Sequence, residues 1–542
     1  MGNRSLWVWP AWLLFAVPAL WFARAELASG FGSLDTDSAM RLAQVRDLLA
    51  GQGWFDTVQH RMNAPYGLAM HWSRLADAPP ALLSLLSERL ALTAWPLLLF
   101  GAALYLLARL AGRLGGHIAA GAVLVLALLC AEVYATFAPG NIDHHGLQLA
   151  LMLAALTGVV ERRPLLTAVA VAVSLGVGLE TLPYALLAIG FSVFDRVNAR
   201  RFGLSLAGTA LLLLVATTAD PYRFHPVCDT YSLFYAVLLA AGGIGVAAIG
   251  FLPRHRGAAL AGLAILLAGL SVLLNPACLA GPYGGLDPRL QTLFFARINE
   301  AHPVWQFFRL APSQTIGGYG YALLALAFCF ALPAGRAKWA VTGFASLALA
   351  VATLQYRATP FALMFVLPGL AAALVRLTEK RSPVLLAAAL ILANGVMFTL
   401  LATLAEGQAA VTARANAFAR QVACGAEPAM APLKTMPRGR VAGFVDQGPA
   451  ILAYTPDSAI AGPYHRDAAG ILDTYEIFAG KNPRAVLARR GVDYLMTCRG
   501  APDWGFYRDK GGLVAALAKG QMPDWLTPAG RKGDIEVYRV AR

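Results

Sequence analysis

Charge is what this chain has least of. Only 14% of its 542 residues are charged and 58% are hydrophobic, whereas a soluble domain carries about a quarter charged residues. An ordinary soluble protein is excluded, and a polytopic membrane protein is indicated. Acidic residues are scarcer than basic ones, 30 against 44, but the lysines and arginines nowhere gather into the continuous patch that nucleic-acid binding requires. Nucleic acid is therefore not an expected partner. The basic residues fall instead in short loops: Arg109 and Arg113, Arg162 and Arg163, Arg196 to Arg201, Arg254 and Arg256, Arg336 and Lys338, Arg376 to Arg381. That is the distribution of cytoplasmic loops. The six cysteines show no grouping of thiols suited to a structural zinc site. No internal repeat is visible, which disfavours a secondary transporter built from two related halves, and no glycine-rich phosphate loop follows a strand.

What the chain does have is apolar runs of membrane-spanning length. Spans of about 20 residues fit near 6–24, 91–109, 117–137, 145–160, 203–219, 232–252, 257–275, 318–334, 338–354, 360–376 and 383–404. The stretch 164–194 is too short for two full spans and too long for one. Both its flanks have cytoplasmic character, so parity assigns it two short helices meeting externally near Gly178 to Thr181. The first run follows Arg4 and reads as a retained signal anchor. The expected fold is thus a polytopic α-helical membrane protein of about thirteen transmembrane helices, residues 1–405, lodged in the inner (plasma) membrane with external loops 29–90 and 276–317. The tail, 406–542, is expected to be a small external domain, periplasmic or extracellular, of α/β type. Its strand-like runs are RVAGFVD, PAILAYT and DIEVYRV, and its helix-like runs are AVLARRG and LVAALAKG. Cys424 and Cys498 are placed to form a disulfide in such a compartment, while for Cys228 and Cys278 a bridge and two free thiols are equally compatible with the sequence. Cys130 and Cys329 fall within spans as packing residues.

Asp143-His144-His145 lies at the mouth of one apolar run and the start of the next. An ionised aspartate at the centre of a membrane helix costs about 2.5 to 3.5 kcal/mol on insertion scales, so such residues tend to mark functional sites. The Asp-x-His spacing lets Asp143 and His145 converge on a cation, and a mixed carboxylate and imidazole set suits Mn²⁺ or Mg²⁺. A solvated helix N-terminus favoured by the dipole explains the cluster equally well. Asp35 and Asp37 precede a helix-like stretch, where one caps and the other is free. Glu300 stands mid-loop in ARINEAHPVWQFF, and Arg357 in LQYRATPFALMF at the outer end of a span, where a guanidinium either engages a phosphate or snorkels to the interface. Under the topology above, all of these share one face of the membrane.

Together these residues resemble the glycosyltransferase C superfamily, and within it the catalytic subunit of oligosaccharyltransferase. Asp37 is followed by Arg46-Asp47 as in the family's D-x₈-R-D stretch. Asp143-His144-His145 is similar to the archaeal second motif, Glu300 in INEAHP is similar to the fifth-loop glutamate, and Arg357 is similar to the arginine beside the lipid pyrophosphate. The resemblance implies a metal-dependent glycosyltransferase moving a sugar or oligosaccharide from a polyprenyl-phosphate or pyrophosphate carrier in the membrane lipid to an acceptor at the outer face. It implies a divalent cation, Mn²⁺ or Mg²⁺, on Asp37, Asp143, His145 and Glu300, phosphate contact by Arg357, and Asp35, Asp37 or Glu300 as the activating carboxylate. The family's Trp-Trp-Asp acceptor motif is absent, the tail tryptophans being Trp504 and Trp525, so the acceptor is open. Tyr464, His465 and Arg466 either contact an acceptor or cap a turn. Two alternatives stand beside this reading: a monosaccharide transferase of the protein mannosyltransferase or aminoarabinose transferase type, which does not share the Asp-His-His element, and a secondary transporter.

Overall fold

The computed structural model describes residues 7–541 apart from 196, 221, 253 and 379–381; Arg4, Arg196 and Arg381 lie outside the described residues. Each apolar run is helical. Among the described residues five helices are long and apolar enough to cross a membrane, six if the bent pair Pro383–Leu392 and Gly395–Glu406 is one span, and shorter apolar helices accompany them. Thr359–Thr378 is the axis of the bundle, buried along nearly all of its length, whereas Arg256–Leu274 buries none of its side chains. That contrast marks Arg256–Leu274 as a helix facing outward from the protein.

Glycine sets two of the closest approaches. The helix Glu88–Leu128 breaks at Gly115 and Gly116, which leave helical geometry; a Cβ on Gly115 would lie 3.0 Å from the backbone of Ala372 on the axial helix. The runs 91–109 and 117–137 are therefore two helices joined by a kink, with the end of the second continuing as Ala131–Phe137. Gly203 and Gly243 let the helices Ala199–Ala216 and Leu233–Ile249 meet backbone to backbone, the small-residue packing used where no hydrophobic drive separates helix from lipid.

The stretch 164–194 forms Pro164–Val177 and Leu182–Val193 around a short turn, Leu179–Thr181. One end of the bundle collects basic side chains. Arg109, Arg113 and Arg163 pair with Glu161, and Arg162 and Arg336 approach Asp195. The other end carries the long loops and the tail.

In the tail a five-stranded sheet has the order β4-β3-β5-β7-β6, formed by β3 (Arg440–Ala442), β4 (Ser458–Ala459), β5 (Tyr494–Cys498), β6 (Leu526–Lys532) and β7 (Ile535–Val540). A hairpin of two-residue strands in the first loop supplies β1 (Val58–Gln59) and β2 (Leu68–Ala69). β3 is parallel to both β4 and β5, and β7 is antiparallel to β5 and β6. RVAGFVD and DIEVYRV supply strands, and AVLARRG and LVAALAKG supply helices. PAILAYT does not form a strand; it is the helix Gly448–Tyr454. Pro449 favours a helical first turn, and Gly448 to Ala453 are all buried, so no alternation of exposed and buried faces marked the element. The bridges Cys228–Cys278 and Cys424–Cys498 are both formed, while Cys130 and Cys329 are free and buried.

The tail does not stand apart. The first loop joins its sheet through Ala459 N–H to the Arg61 carbonyl at 2.8 Å and Ala64 N–H to the Ala459 carbonyl at 3.0 Å, and Arg61 donates to the carbonyls of Leu452, Thr455 and Asp457. Leu290 and Phe294 of the loop 276–317 are part of the tail's own hydrophobic core. Burying these side chains at about 25 cal/mol per Å² couples loop and tail, and with them the residues at either end of each loop.

Candidate functional site

Two helix N-termini meet where the loops, the tail and the bundle converge. Asp35 caps the helix Thr36–Leu49, its Oδ1 accepting from the backbone N–H of Asp37 at 3.0 Å and Ser38 at 2.9 Å. Ser38 Oγ in turn accepts from Ile142 N–H at 3.2 Å, bringing this terminus against the start of the helix His144–Glu161. Asp143 caps that second helix, accepting from His144 N–H at 2.6 Å. Asp37, in the first turn after its cap, keeps its carboxylate free of hydrogen bonds among the described residues. Arg41, one turn further, is fully buried: it donates to Asp77 Oδ1 at 2.5 Å, lies 3.4 Å from His144 Nδ1 and stacks over Trp72 at 4.6 Å.

The electrostatics of the two aspartates diverge. Burial together with the negative charges of Asp143, Asp35 and Glu300 pushes the Asp37 carboxyl well above the ordinary range, against the pull of His144. For Asp143 burial also opposes ionisation, but His144, His145 and Arg41 outweigh it and hold the carboxyl below the usual range. Asp35 is raised, chiefly by burial, although its backbone hydrogen bonds pull the other way. Unlike charges alone do not fill this corner: the acids repel one another, which is the condition a bound cation relieves.

Five side chains close a ring around this point. Asp143 Oδ1 meets His144 Nδ1 at 2.5 Å, and His144 Nε2 faces Glu180 Oε1 at 3.5 Å. Glu180 Oε2 accepts from Gln148 Nε2 at 3.0 Å, Gln148 Oε1 faces His145 Nδ1 at 3.4 Å, and His145 Nε2 returns to Asp143 Oδ2 at 3.4 Å. The orientation of the Gln148 amide follows from its partners. Its nitrogen lies between two acceptors, Glu180 and the Gly178 carbonyl at 3.0 Å, so its oxygen is the atom presented to His145. The proton of a neutral His145 then sits on Nδ1, and Nε2 offers its lone pair toward Asp143. Two acceptors facing each other in this way could hold a cation between them. Among the described residues Asp143, His144 and His145 form the group whose possible ligand atoms lie within 4.8 Å of one another.

The structure therefore brings Asp143 and His145 into direct company, and Asp37 feels the charges of Asp143, His144 and Glu300, although neither Asp37 nor Glu300 belongs to the group whose ligand atoms lie within 4.8 Å of one another. Glu300 is exposed, in the short turn Asn299–Ala301, and acts on both Asp37 and Arg357. Its loop is tied to the arginine's turn by Tyr356 N–H donating to the His302 carbonyl at 3.0 Å. Arg357 donates through Nε to Gln355 Oε1 at 3.2 Å, with Glu180, Tyr283 and Glu300 as its electrostatic neighbours.

Tyr464 and His465 are buried and Arg466 is ion-paired. Tyr464 donates to the Thr36 carbonyl at 3.3 Å and packs edge-on against Trp72, while His465 and Arg466 both bind Asp229. They fasten the tail over the site.

Sequence reasoning missed Glu180, Gln148, Arg41 and Tyr283. Three of these carried a signal. Gln148 follows His144 and His145 at helical spacing and so shares their face, and Arg41 stands in the same relation to Asp37. Glu180 is a lone carboxylate in an apolar stretch, which is itself a flag; its partners, more than thirty residues away, are not legible in sequence.

No protein-family model matches the chain, and no curated protein does. Solved structures do. The crystal structure of the Archaeoglobus fulgidus oligosaccharyltransferase in its apo form is 16% identical, with a TM-score of 0.65 over 91% of this chain and 69% of the other. The archaeal oligosaccharyltransferase AglB from Archaeoglobus fulgidus, in complex with an inhibitory peptide and a dolichol-phosphate, gives 14% identity and a TM-score of 0.63, covering 92% and 70%. The chain has the oligosaccharyltransferase fold. A third structure, the Archaeoglobus fulgidus enzyme in complex with Zn and sulfate, shares that fold over 98% of this chain and 73% of its own, with a TM-score of 0.59 and 15% identity. The oligosaccharyltransferase fold accounts for the architecture; the chemistry has to come from the side chains described above.

Proposed function

We propose that the chain is an integral-membrane glycosyltransferase that moves a sugar or oligosaccharide from a polyprenyl-phosphate or pyrophosphate carrier to an acceptor at the outer face of the membrane. The observation that carries this reading is the meeting of Asp37, Asp143, His145, Glu300 and Arg357 at one end of the bundle, opposite the end where Arg109, Arg113, Arg162, Arg163 and Arg336 gather. With the basic end cytoplasmic, the odd number of crossings read from the sequence would put the acids, the loops 29–90 and 276–317 and the tail 406–542 outside, facing the periplasm or exterior of the plasma membrane. Complexes of the similar archaeal enzyme with dolichol-phosphate and with Zn and sulfate support a lipid-phosphate donor and a cation.

The donor set fits a divalent cation. Asp37, Asp143, His145 and Glu300 would hold it, and oxygen-rich coordination with one imidazole suits Mn²⁺ or Mg²⁺. When bound, the cation supplies positive charge against the phosphate oxygens as they leave. Arg357, held through Nε by Gln355, would engage the same phosphate through its guanidinium. The bond between the anomeric carbon and the phosphate oxygen breaks with its electron pair passing to the phosphate, and the acceptor nucleophile bonds to that carbon. The proton it sheds goes to a carboxylate, Asp37 or Glu300; Asp35 is committed to its cap. His144 and Arg41 hold Asp143 from behind.

The test is turnover by the purified full chain in detergent, supplied with a lipid extract of its own membranes and assayed by mass spectrometry for conversion of sugar-bearing polyprenyl phosphates to the bare carrier. The reading expects consumption that EDTA stops and added Mn²⁺ or Mg²⁺ restores. Lipid-linked sugars left intact under all conditions, with the protein folded, would overturn it.

A further inference from the structure

A buried glutamine in an apolar helix needs partners wherever it lies, so the hydrogen bonds of Gln148 do not by themselves imply a function. Their arrangement does. The amide is fully buried and is held at both ends: its nitrogen by the Gly178 carbonyl and Glu180, its oxygen by His145. Turning it over would set its nitrogen toward His145 Nδ1 and leave Gly178 and Glu180 facing an oxygen, losing two hydrogen bonds. Gln148 thus dictates which nitrogen of His145 carries a proton, and the nitrogen left bare is the one 3.4 Å from Asp143 Oδ2.

Glu180 performs the matching task on the other branch. Its Oε1 faces His144 Nε2 at 3.5 Å, and the opposite nitrogen of that ring grips Asp143 Oδ1 at 2.5 Å. One carboxylate, placed by the break between Pro164–Val177 and Leu182–Val193, therefore reaches Asp143 through His144 and His145 through Gln148. The ring is built from one helix N-terminus and one interrupted pair of helices, so neither ligand can rotate without disturbing the other.

We propose that Gln148 and Glu180 are positioning residues that set the affinity of this site for its divalent cation, Gln148 by fixing the tautomer of His145 and Glu180 by steadying Asp143 through His144. The inference rests on the cation reading given under Proposed function and goes beyond it, since neither residue touches the cation. Groups that orient metal ligands from behind typically contribute 10- to 100-fold in metal affinity.

Manganese binding to the purified full chain in detergent, read as loss of the free Mn²⁺ electron paramagnetic resonance signal with no donor or acceptor present, tests this directly. The wild type should bind one ion and Asp143→Ala should bind none. Gln148→Leu, close in volume, should bind about 10- to 100-fold more weakly. Glu180→Gln, nearly isosteric, cannot accept from His144 and Gln148 together in the same orientation and should bind about three- to tenfold more weakly, the equivalent of one lost hydrogen bond. Should Gln148→Leu fail to fold, Glu180→Gln carries the test alone. Wild-type affinity in the folded variants overturns the positioning role while leaving the cation site standing. A wild type that binds no Mn²⁺, or an Asp143→Ala that binds it unchanged, overturns the cation reading and this inference with it.

Discussion

Two aspartates beside histidines have opposite fates in this molecule. Asp229, next to the Cys228–Cys278 bridge, receives His465 Nε2 at 2.8 Å and a two-point contact from Arg466, Nε at 2.6 Å and Nη2 at 2.7 Å. Burial opposes its ionisation, but Arg466 and His465 prevail and hold its carboxyl below the usual range. Every charge there is answered from within the chain. Asp37 has no hydrogen-bonding partner for its carboxylate among the described residues and is pressed by Asp143, Asp35 and Glu300. The first arrangement is a fastening between tail and loops; the second stores repulsion that an external cation would relieve. Composition cannot tell the two apart, but the balance of charge can.

The sharpest way to break this contrast is Asp37→Ala. Removing a carboxylate proposed to hold the cation would withdraw several kcal/mol from the transfer step, so turnover should fall by about a thousandfold or more, while the melting temperature holds or rises because a repulsive charge is gone. A normal rate of donor consumption would place the chemistry elsewhere. Asp229→Ala should behave in the reverse sense, losing about 3 kcal/mol of stability by leaving Arg466 without its partner, measured by denaturant unfolding, with Mn²⁺ affinity unchanged. Because the folded-state pKa of Asp229 is depressed, its contribution is present above the unfolded carboxylate value and is lost as pH falls through the folded one. The stability gap between wild type and Asp229→Ala should be complete at pH 7 and close only below about pH 4. A gap that closes near neutrality would contradict the ion-paired fastening.

Arg357→Lys trades a planar two-point phosphate contact for a single charge. The KM for the lipid-linked donor should rise about tenfold, the equivalent of a charge-assisted hydrogen bond, with Mn²⁺ affinity unaltered; a matching loss of Mn²⁺ would show that Arg357 serves the cation corner instead. The smallest effect belongs to Tyr464→Phe. Deleting the hydroxyl that donates to Thr36 should cost about 1 kcal/mol of stability, and an outright loss of activity would make Tyr464 part of the site rather than of the lid above it.

How much of this was legible in the sequence depends on the range of the interactions. The helices were readable because apolar runs of membrane length leave few alternatives, and the turn at Gly178 to Thr181 followed from charge at both flanks of 164–194. The caps at Asp35 and Asp143 are local, set by residues one to three positions on. PAILAYT misled because full burial erases the periodicity that separates strand from helix. The ring through Glu180 and the fastening at Asp229 were invisible, since Gln148 and Glu180 are 32 residues apart and Asp229 and Arg466 are 237 apart. Such pairs are made by the packing of the bundle and tail, and no spacing rule announces them.

The most direct test of the central claim is a mass-spectrometric profile of protein-linked, lipid-linked and surface glycans from cells carrying the wild-type chain, cells lacking it, and cells carrying Asp143→Ala at equal membrane abundance. The account predicts one glycan species present with the wild type, missing without the chain and missing with Asp143→Ala, together with accumulation of its polyprenyl-linked precursor in the latter two. Profiles identical across all three, or a species that Asp143→Ala still delivers in full, would contradict it.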